Sequence, residues 1–266
     1  MTISIAGCGW FGMELAQSLL QEGHQVKGST TSSDKMELLS AAGIEPALIR
    51  LSEKEELLSD HSFFKCDLLV IAIPPKARIN EGKDYLFAMT RLIELATEHQ
   101  IGKVIFISST SVYGEIKGPV DEDTQPAPDT LSGKVLVQAE QLFASTQSFQ
   151  TTIIRFAGLI GPGRDPGKFF SGKENIANGL APVNLIHLAD CVGITKAIID
   201  KDFYGYIINA CSPDHPTRKD FYTQASAKSG LPAPVFISEL LSWKVVKSKF
   251  IPGELYRFRK EDLLHQ

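Results

Sequence analysis

The chain has 266 residues, a length typical of one large domain or of one domain with a smaller addition. Hydrophobic residues make up 43% and charged residues 22%, which argues against intrinsic disorder. The net charge of -4 gives no basic field for nucleic acid or an anionic membrane surface, so neither partner is expected. The four cysteines form no C-x-x-C pair and predict neither a metal site nor a disulfide framework. Without a basic leader or a long apolar segment, a cytoplasmic protein is expected.

Short apolar strands and amphipathic helices alternate along the first part of the chain. The predicted strands are 2–6, 25–28, 47–51, 67–73, 104–107 and 152–156. The predicted helices are 10–21, 34–42, 84–98 and 135–143. A further short helix is expected after the capping box Ser52-x-x-Glu55. Six strands separated by crossover connections predict an α/β fold with a doubly wound parallel sheet of the Rossmann type.

The alternation changes after Phe156. Residues 158–167 contain four glycines and two prolines, and a helix at 188–199 and a strand at 206–210 follow. The pattern Thr217-x-x-Asp220 then predicts the start of another helix. We therefore predict a nucleotide-binding core over residues 1–160 and a smaller mixed α/β lobe over residues 161–266, packed on the carboxyl edge of the sheet.

A glycine motif lies between the first predicted strand and the first predicted helix. Gly7, Gly9 and Gly12 give the pattern G-x-G-x-x-G. The first glycine permits a tight turn, the second lets the backbone approach a diphosphate, and the third lets helix and strand pack closely. Free N–H groups at a helix start attract phosphate. We predict a dinucleotide site here that also involves Trp10 and Phe11; the alternative is a turn shaped by glycine alone.

The end of the second strand distinguishes NADP from NAD. In NAD-binding proteins an acidic residue there usually binds the ribose hydroxyls. This chain instead reads G-S-T-T-S-S-D-K over residues 28–35, so Thr30, Thr31, Ser32 and Lys35 are suited to a phosphate. NADP is therefore the expected cofactor, with NAD as the alternative. Three residues after the fourth and fifth predicted strands are expected to line the same site, namely Ile73, Pro74 and Ser108.

Residues 108–114 read S-S-T-S-V-Y-G, directly after the fifth predicted strand. This segment resembles the S-S-x-x-V-Y-G signature of the extended short-chain dehydrogenase/reductases, the NAD-dependent epimerase/dehydratase group. Segments 155–164, 184–190 and 206–210 resemble later motifs of that group, so the likeness spans residues 1 to about 230. The glycine spacing and the length are most similar to an atypical bacterial branch. The resemblance implies acid/base chemistry by Ser or Thr, Tyr and Lys beside a nicotinamide.

The resemblance carries over only part of this catalytic set. By position Ser109 matches the catalytic Ser or Thr, and Lys134 matches the Lys that also binds the nicotinamide ribose. The expected Tyr is replaced by Thr130, whose hydroxyl is not a base near pH 7. Either Tyr113 or another group therefore transfers the proton, or the protein binds cofactor without the usual turnover. The predicted catalytic residues are Ser109, Tyr113 and Lys134.

The substrate side also departs from the family pattern. Gly158 occupies the usual Asn position, Ile160 replaces a Tyr, and Val183 stands where an Arg often binds nucleotide phosphate. A UDP- or dTDP-sugar is accordingly less favoured than a small hydroxyl or carbonyl compound, sugar-derived or not. The alternative function is a catalytically silent NADP-binding sensor or partner-binding protein. A β-hydroxyacid-type dehydrogenase would need an all-helical second domain, which the Gly/Pro-rich segment disfavours. A monomer or homodimer is expected.

Other polar residues have competing interpretations. Arg164, in the Gly/Pro-rich segment, could bind an anionic substrate group or be a solvated loop residue. His187 and Asp190 open a predicted helix, where capping is the commoner role. The basic residues within 244–260 are expected to face solvent.

Overall fold

The computed structural model describes residues 1–75, 81–251, 253–260 and 263–264. Its strands are Thr2–Ala6 (β1), Gln25–Thr30 (β2), Glu45–Leu51 (β3), Glu56–Leu58 (β4), Leu68–Ile71 (β5), Lys103–Ser109 (β6), Gly118–Val120 (β7), Gln150–Phe156 (β8), Gly158–Ile160 (β9), Leu185–His187 (β10), Ile207–Ala210 (β11) and Lys244–Val246 (β12). Its α-helices are Trp10–Gln21 (α1), Asp34–Ala41 (α2), Glu81–Glu98 (α3), Leu131–Ser145 (α4), Gly167–Phe170 (α5), Leu188–Asp200 (α6) and Arg218–Lys228 (α7). Short 3-10 helices cover His61–Phe64 and Thr110–Val112.

Eight strands form one sheet in the order β11-β8-β6-β5-β1-β2-β3-β4. Neighbouring strands are parallel except for the antiparallel pair β3–β4. From β1 the chain moves outward to β4 and then returns to β5 on the other side of β1, so the direction of winding reverses between β1 and β5. Ligands of such sheets bind at the carboxyl ends of the strands beside this reversal. The predicted doubly wound Rossmann sheet is confirmed.

The helix expected after Ser52 is absent, and that prediction was wrong. The Ser52 hydroxyl oxygen accepts a hydrogen bond from the Glu55 amide at 3.1 Å, as in a capping box. The residues that follow form β4 and pair with β3 instead of continuing as a helix. The capping pattern therefore closes a turn here, because the next residues are bound to the edge of the sheet.

Residues beyond 160 complete the main sheet. The strand β11 is its edge strand and pairs with β8. Helix α6 packs beside α1, where the Lys196 ammonium donates a hydrogen bond to the Ser18 hydroxyl at 3.0 Å. A second, smaller hydrophobic cluster contains Ile160, Val183, Leu185, Phe221, Tyr222, Phe236 and Leu263. The division predicted at residue 160 therefore does not coincide with the end of the sheet.

A buried ion pair joins β8 to α4. The Arg155 side chain, on β8, is 2% exposed, and its Nε and Nη2 atoms bind the Glu140 carboxylate at 3.0 and 2.6 Å. Ser108 at the end of β6 donates to the same carboxylate at 2.6 Å. The remaining Arg155 nitrogen, Nη1, donates to the Tyr113 hydroxyl at 2.6 Å, and that hydroxyl lies 3.0 Å from Asn209 Oδ1 on β11. The buried charges are thus compensated, and the network connects three strands with one helix.

No helix within the described ranges is long and apolar enough to cross a membrane.

We predict that Glu140→Gln lowers the free energy of unfolding by about 3–5 kcal/mol, because it leaves the buried Arg155 guanidinium without a counter-ion. Urea unfolding provides the measurement. The matched control is Glu94→Gln, which removes an exposed partner of Arg91 and should cost less than about 1 kcal/mol. Equal effects of the two substitutions would contradict the structural importance of the buried pair.

Candidate functional site

A crevice of about 430 Å³ lies at the carboxyl ends of β1, β2 and β5, at the reversal of the sheet. The glycine turn forms one wall, and the first turns of α3 form part of another. Residues that line it include Gly7, Gly9, Thr30, Thr31, Lys35, Ile73, Pro74 and Tyr85. The crevice therefore brings together about half of the residues predicted to bind the cofactor.

The glycine turn is built as its sequence pattern predicts. Gly7 has φ +98°, a left-handed conformation that favours glycine. A Cβ atom on Gly12 would lie 2.4 Å from the Gly7 carbonyl oxygen, so close packing requires glycine there. A Cβ atom on Gly9 would meet no protein atom within 4 Å. Gly9 therefore faces open space in the crevice, where a diphosphate could approach the backbone.

The turn is also fixed to the neighbouring strand. The Gly7 amide donates to the Ser29 hydroxyl, and the Cys8 amide donates to the Ser29 carbonyl, both at 2.9 Å. Burial raises the pKa of the Cys8 thiol to about 12, so it is not a thiolate near neutral pH. Cys8 therefore serves as a small, buried residue inside the tight turn.

The start of α1 supplies N–H donors but no side-chain cap. Its N-cap residue is Gly9, so the first backbone N–H groups of the helix remain available to a ligand. Phe11 is 7% exposed and packs edge-on against Phe156 with ring centroids 5.1 Å apart, which leaves only its backbone for the cofactor. The arrangement suits an anion held by main-chain donors.

A loop from the second half of the chain packs over this turn. The Trp10 indole N–H donates to the Pro162 carbonyl at 2.6 Å. The Arg164 guanidinium lies 4.3 Å from the centre of the Trp10 ring system and is exposed, with no ion pair in the described part of the chain. Sequence reasoning left the role of Arg164 open, and its contact with Trp10 places a positive charge beside the glycine turn.

The end of β2 has no carboxylate in the crevice. The Thr30 hydroxyl accepts from the Ser32 amide at 3.1 Å and so shapes the turn, while Thr31 and Lys35 are exposed lining residues. The Arg50 side chain donates to the Thr31 carbonyl at 2.9 Å and is also paired with the Glu55 carboxylate at 3.3 Å. Asp84 of α3 lines the crevice as well, so the positive charge beside Thr31 comes mainly from Lys35.

Tyr85 on α3 is a lining residue that sequence reasoning missed. The hydroxyl is buried and has no hydrogen-bond partner among the described residues, and burial raises the pKa of Tyr85. An unpaired buried hydroxyl is costly, so a ligand that offered it an acceptor would be favoured. The helical spacing of apolar residues in α3 predicts only a buried position for Tyr85 and gives no signal for this role.

Two predicted site residues point into the core instead of the crevice. Tyr113 is 2% exposed, and its hydroxyl is bound by Arg155 and Asn209. Ser108 donates its hydroxyl to Glu140. These positions contradict the predicted proton transfer by Tyr113 and the predicted side-chain contact of Ser108 with cofactor, because both hydroxyls are used inside the protein.

The other catalytic candidates are not brought together either. Ser109 is half-buried at the carboxyl end of β6, where its hydroxyl oxygen accepts from the Ser111 amide at 3.1 Å. Thr130 caps α4 by accepting from the Gly133 amide at 3.1 Å, which gives the residue in the Tyr position a structural role. Lys134 is exposed on α4, its ammonium group makes no hydrogen bond or ion pair with a described residue, and it does not line the crevice. Ser109, at the carboxyl end of β6, is likewise absent from the residues that line the crevice.

The residues at the start of α6 have structural partners. The Nδ1 atom of His187 accepts from the Ala189 amide at 3.1 Å, and burial lowers the pKa of His187. Asp190 is buried and accepts from the Tyr256 hydroxyl at 2.9 Å and the Arg259 amide at 2.7 Å. Neither side chain is arranged as an acid/base pair for a substrate.

A second cavity, of about 490 Å³, lies near the carboxyl end of β8. Glu115, Gly158, Arg218, Tyr222 and Trp243 are among its lining residues. It opens at the same edge of the sheet as the glycine crevice, beyond the end of β6. Across the described ranges, no cluster of three His, Cys, Asp or Glu side chains is placed to hold a metal ion.

Comparison with known proteins agrees with this geometry. The model of the NAD dependent epimerase/dehydratase family matches residues 3–192, and the chain belongs to that family. It is 40% identical over 253 residues to Protein YeeZ of Escherichia coli strain K12, covering 94% of this chain and 91% of that protein.

Solved structures share the whole fold. A functionally unknown conserved protein from Silicibacter pomeroyi superposes with a TM-score of 0.79 at 26% identity, covering 99% of this chain and 95% of that one. The UDP-glucuronic acid 4-epimerase of Bacillus cereus, solved with NAD, gives a TM-score of 0.75 at 20% identity over 92% of this chain and 89% of that chain. The resemblance to the epimerase/dehydratase group is confirmed.

We predict different effects for alanine at two glycines of the turn. Gly9→Ala should change the free energy of unfolding by less than about 1 kcal/mol, since its methyl group meets no protein atom. It should weaken NAD(P) binding about tenfold or more, because the methyl group occupies the approach to the diphosphate. Gly12→Ala should instead destabilise the fold by about 1–3 kcal/mol. Calorimetric titration measures the nucleotide affinity of each variant, and urea unfolding measures its stability. An unchanged nucleotide affinity in Gly9→Ala would contradict the site.

Proposed function

We propose that the protein binds a nicotinamide dinucleotide in the glycine crevice and acts on a hydroxyl or carbonyl compound related to sugars, as an epimerase, dehydratase or oxidoreductase. The open space over Gly9, at the bare N-terminus of α1, is the observation that carries the proposal. Membership of the NAD dependent epimerase/dehydratase family supports it. When bound, the nicotinamide supplies a carbon that accepts hydride from a substrate carbinol and can return it.

The residues of the crevice divide the binding task. The N–H groups of Trp10 and Phe11 donate to the diphosphate, and the Arg164 guanidinium adds a nearby positive charge. Ile73 and Pro74 form an apolar wall, and the buried Tyr85 hydroxyl donates to the ligand. Three observations support these roles. Ile73, Pro74 and Tyr85 line the crevice, the Tyr85 hydroxyl has no partner among the described residues, and Arg164 contacts Trp10.

The substrate meets the cofactor at the end of β6. An alcohol that loses hydride must also lose its hydroxyl proton, so a residue must orient that oxygen. Ser109 is the predicted catalytic residue whose position suits this contact. Carried over by position, the family motif puts Thr130 in place of the catalytic Tyr, and the exposed Lys134 lends no support to a ribose-binding role. We therefore assign orientation of the substrate oxygen to Ser109 and leave Tyr113 out of the catalytic set.

The substrate class follows from the family and from this chain's own departures. The relative from Bacillus cereus is a UDP-glucuronic acid epimerase, which favours a sugar-related compound. Gly158 and Val183 provide no polar side chain where nucleotide-sugar enzymes resembling this chain carry Asn and Arg. A small sugar-derived substrate without a nucleotide is the form we propose.

NADP is the proposed cofactor, with NAD as the alternative. The corner formed by the end of β2 has exposed Thr31, the Lys35 ammonium and the nearby Arg50 guanidinium. Such a corner favours a ribose 2′-phosphate, because β2 itself ends without the acidic side chain that would repel it. The carboxylates of the surroundings are Glu55, which is paired with Arg50 at 3.3 Å, and Asp84, which accepts from the Glu53 amide at 3.2 Å.

Thr31→Asp should reverse this preference. The new carboxylate repels the 2′-phosphate of NADP and can accept a hydrogen bond from the 2′-hydroxyl of NAD, so the ratio of NADP to NAD affinity should fall about tenfold or more. Fluorescence titration with NADPH and NADH measures the ratio. Thr31→Asn, neutral and of the same shape, is the matched control and should preserve the order. Tighter binding of NADH than NADPH by the unaltered protein would reject the NADP preference.

A turnover assay distinguishes an enzyme from a catalytically silent cofactor sensor. The family comparisons do not support the sensor. The protein is incubated with NADP(H) and a panel of sugar acids, sugar phosphates and UDP-sugars. Reduced-nicotinamide absorbance detects net oxidation or reduction, and proton NMR detects an epimer or a dehydrated sugar when the cofactor is regenerated. We expect activity that Gly9→Ala reduces about tenfold or more. Tight cofactor binding without turnover across the panel would contradict the proposal and favour the sensor.

A further inference from the structure

The cavity near the end of β8 has the features of an anion-binding subsite. We propose that Arg218 and Tyr222 bind a carboxylate or phosphate group of the substrate. The inference rests on the proposed function, because it identifies the class of compound that the reaction centre receives.

Arg218 is the first residue of α7 and lines this cavity of about 490 Å³. Its guanidinium carbon lies 5.2 Å from the Phe170 ring centre and 5.7 Å from the Phe236 ring centre. Two aromatic rings therefore fix the guanidinium group and shield it from water on these sides. A charge held in this way gains more from an anionic partner than a freely solvated arginine does.

Most of the hydrogen-bonding capacity of Arg218 is unused. Its Nη1 atom donates to the Ala177 carbonyl at 3.0 Å, the one hydrogen bond that its side chain makes to a described residue. Arg218 has no carboxylate within ion-pair distance in this part of the chain. A guanidinium has five N–H donors in a planar fork that matches carboxylate and phosphate oxygens.

Tyr222 supplies a second donor one helical turn further along. Residues four positions apart lie on the same face of a helix, so Tyr222 and Arg218 approach the cavity together. The Tyr222 ring packs edge-on against Phe170 with centroids 4.7 Å apart, while its hydroxyl makes no hydrogen bond to a described residue. Burial raises the pKa of Tyr222, so the hydroxyl keeps its proton and can donate it.

The carboxylate and the Asn184 amide that line the cavity are already paired. The Glu115 carboxylate accepts from Lys244 Nζ at 2.8 Å, and that ammonium also donates to the Tyr113 carbonyl at 3.0 Å. The Asn184 amide nitrogen donates to the Lys244 carbonyl at 2.9 Å, and its oxygen accepts from the Val246 amide at 2.8 Å. Among the described lining residues, Arg218 is thus the uncompensated charge, and an anion is the ligand that completes the site.

Intrinsic fluorescence can report on this cavity directly. The chain has two tryptophans: Trp243 lines the cavity, and Trp10 lies at the glycine turn. In a Trp10→Phe background, the full chain is titrated with inorganic phosphate and with malonate, with NADP saturating in parallel runs. We expect a saturable change in Trp243 emission with at least one probe. Response to phosphate alone indicates a phosphorylated substrate, and response to malonate alone indicates a sugar acid; both support the proposal.

Four substitutions define the site. Arg218→Gln should weaken the responding probe about tenfold or more, and Tyr222→Phe, which keeps the ring, about threefold or more. Arg218→Lys keeps the charge and should retain part of the affinity. Lys219→Gln is the matched control: this exposed neighbour on α7 does not line the cavity, and its removal should change affinity less than about twofold.

Two results would overturn the inference: no saturation with either probe, or equal weakening by Arg218→Gln and Lys219→Gln. If Arg218→Gln lowers the thermal midpoint strongly, the Tyr222→Phe titration decides. Nucleotide binding is measured separately in the unaltered protein. Loss of the anion response with intact NADP binding rejects this subsite alone, whereas absent NADP binding rejects the proposed function.

Discussion

The buried ion pair between Arg155 and Glu140 is the interaction on which the substrate-side half of the sheet depends. Two opposite charges inside a hydrophobic core are tolerated only when their hydrogen-bonding capacity is satisfied, and here Ser108 and Tyr113 satisfy the remainder. This requirement explains why neither hydroxyl reaches the crevice. A tyrosine that stabilises a buried guanidinium cannot also exchange a proton with a substrate, so the S-S-x-x-V-Y-G segment has a structural role at two of its positions.

The cofactor half of the molecule is built on backbone groups instead. The turn over Gly7, Gly9 and Gly12 requires the absence of side chains, and the start of α1 offers N–H donors that no cap satisfies. The crevice therefore depends on main-chain geometry, whereas a catalytic role depends on one particular side chain at one position. Thr130, for example, uses its hydroxyl to cap α4.

The sequence predicts features encoded by local patterns more successfully than features that depend on distant residues. The strand and helix alternation, the glycine turn and the Thr217 cap follow from periodicity and short motifs, and all are present. The side-chain direction of Tyr113 depends on Asn209, almost a hundred residues away. The Trp10–Arg164 contact likewise joins the glycine turn to a loop that follows β9. No pattern within either segment contains that information. The helix predicted from the capping box at Ser52 was wrong for the same reason, because the residues after it pair with β3 as a strand.

The order of strands places the two cavities along the same edge of the sheet. The glycine crevice uses the ends of β1, β2 and β5, and the Arg218 cavity uses the end of β8. Strand β6 lies between β5 and β8, so Ser109 at its end is situated between the strand ends that border the two cavities. A compound held by its charged group at Arg218 would therefore extend toward Ser109 and the nicotinamide. In this arrangement the anionic group and the reacting carbon belong to one small molecule, and binding energy from the remote charge is available to orient the carbon beside the cofactor.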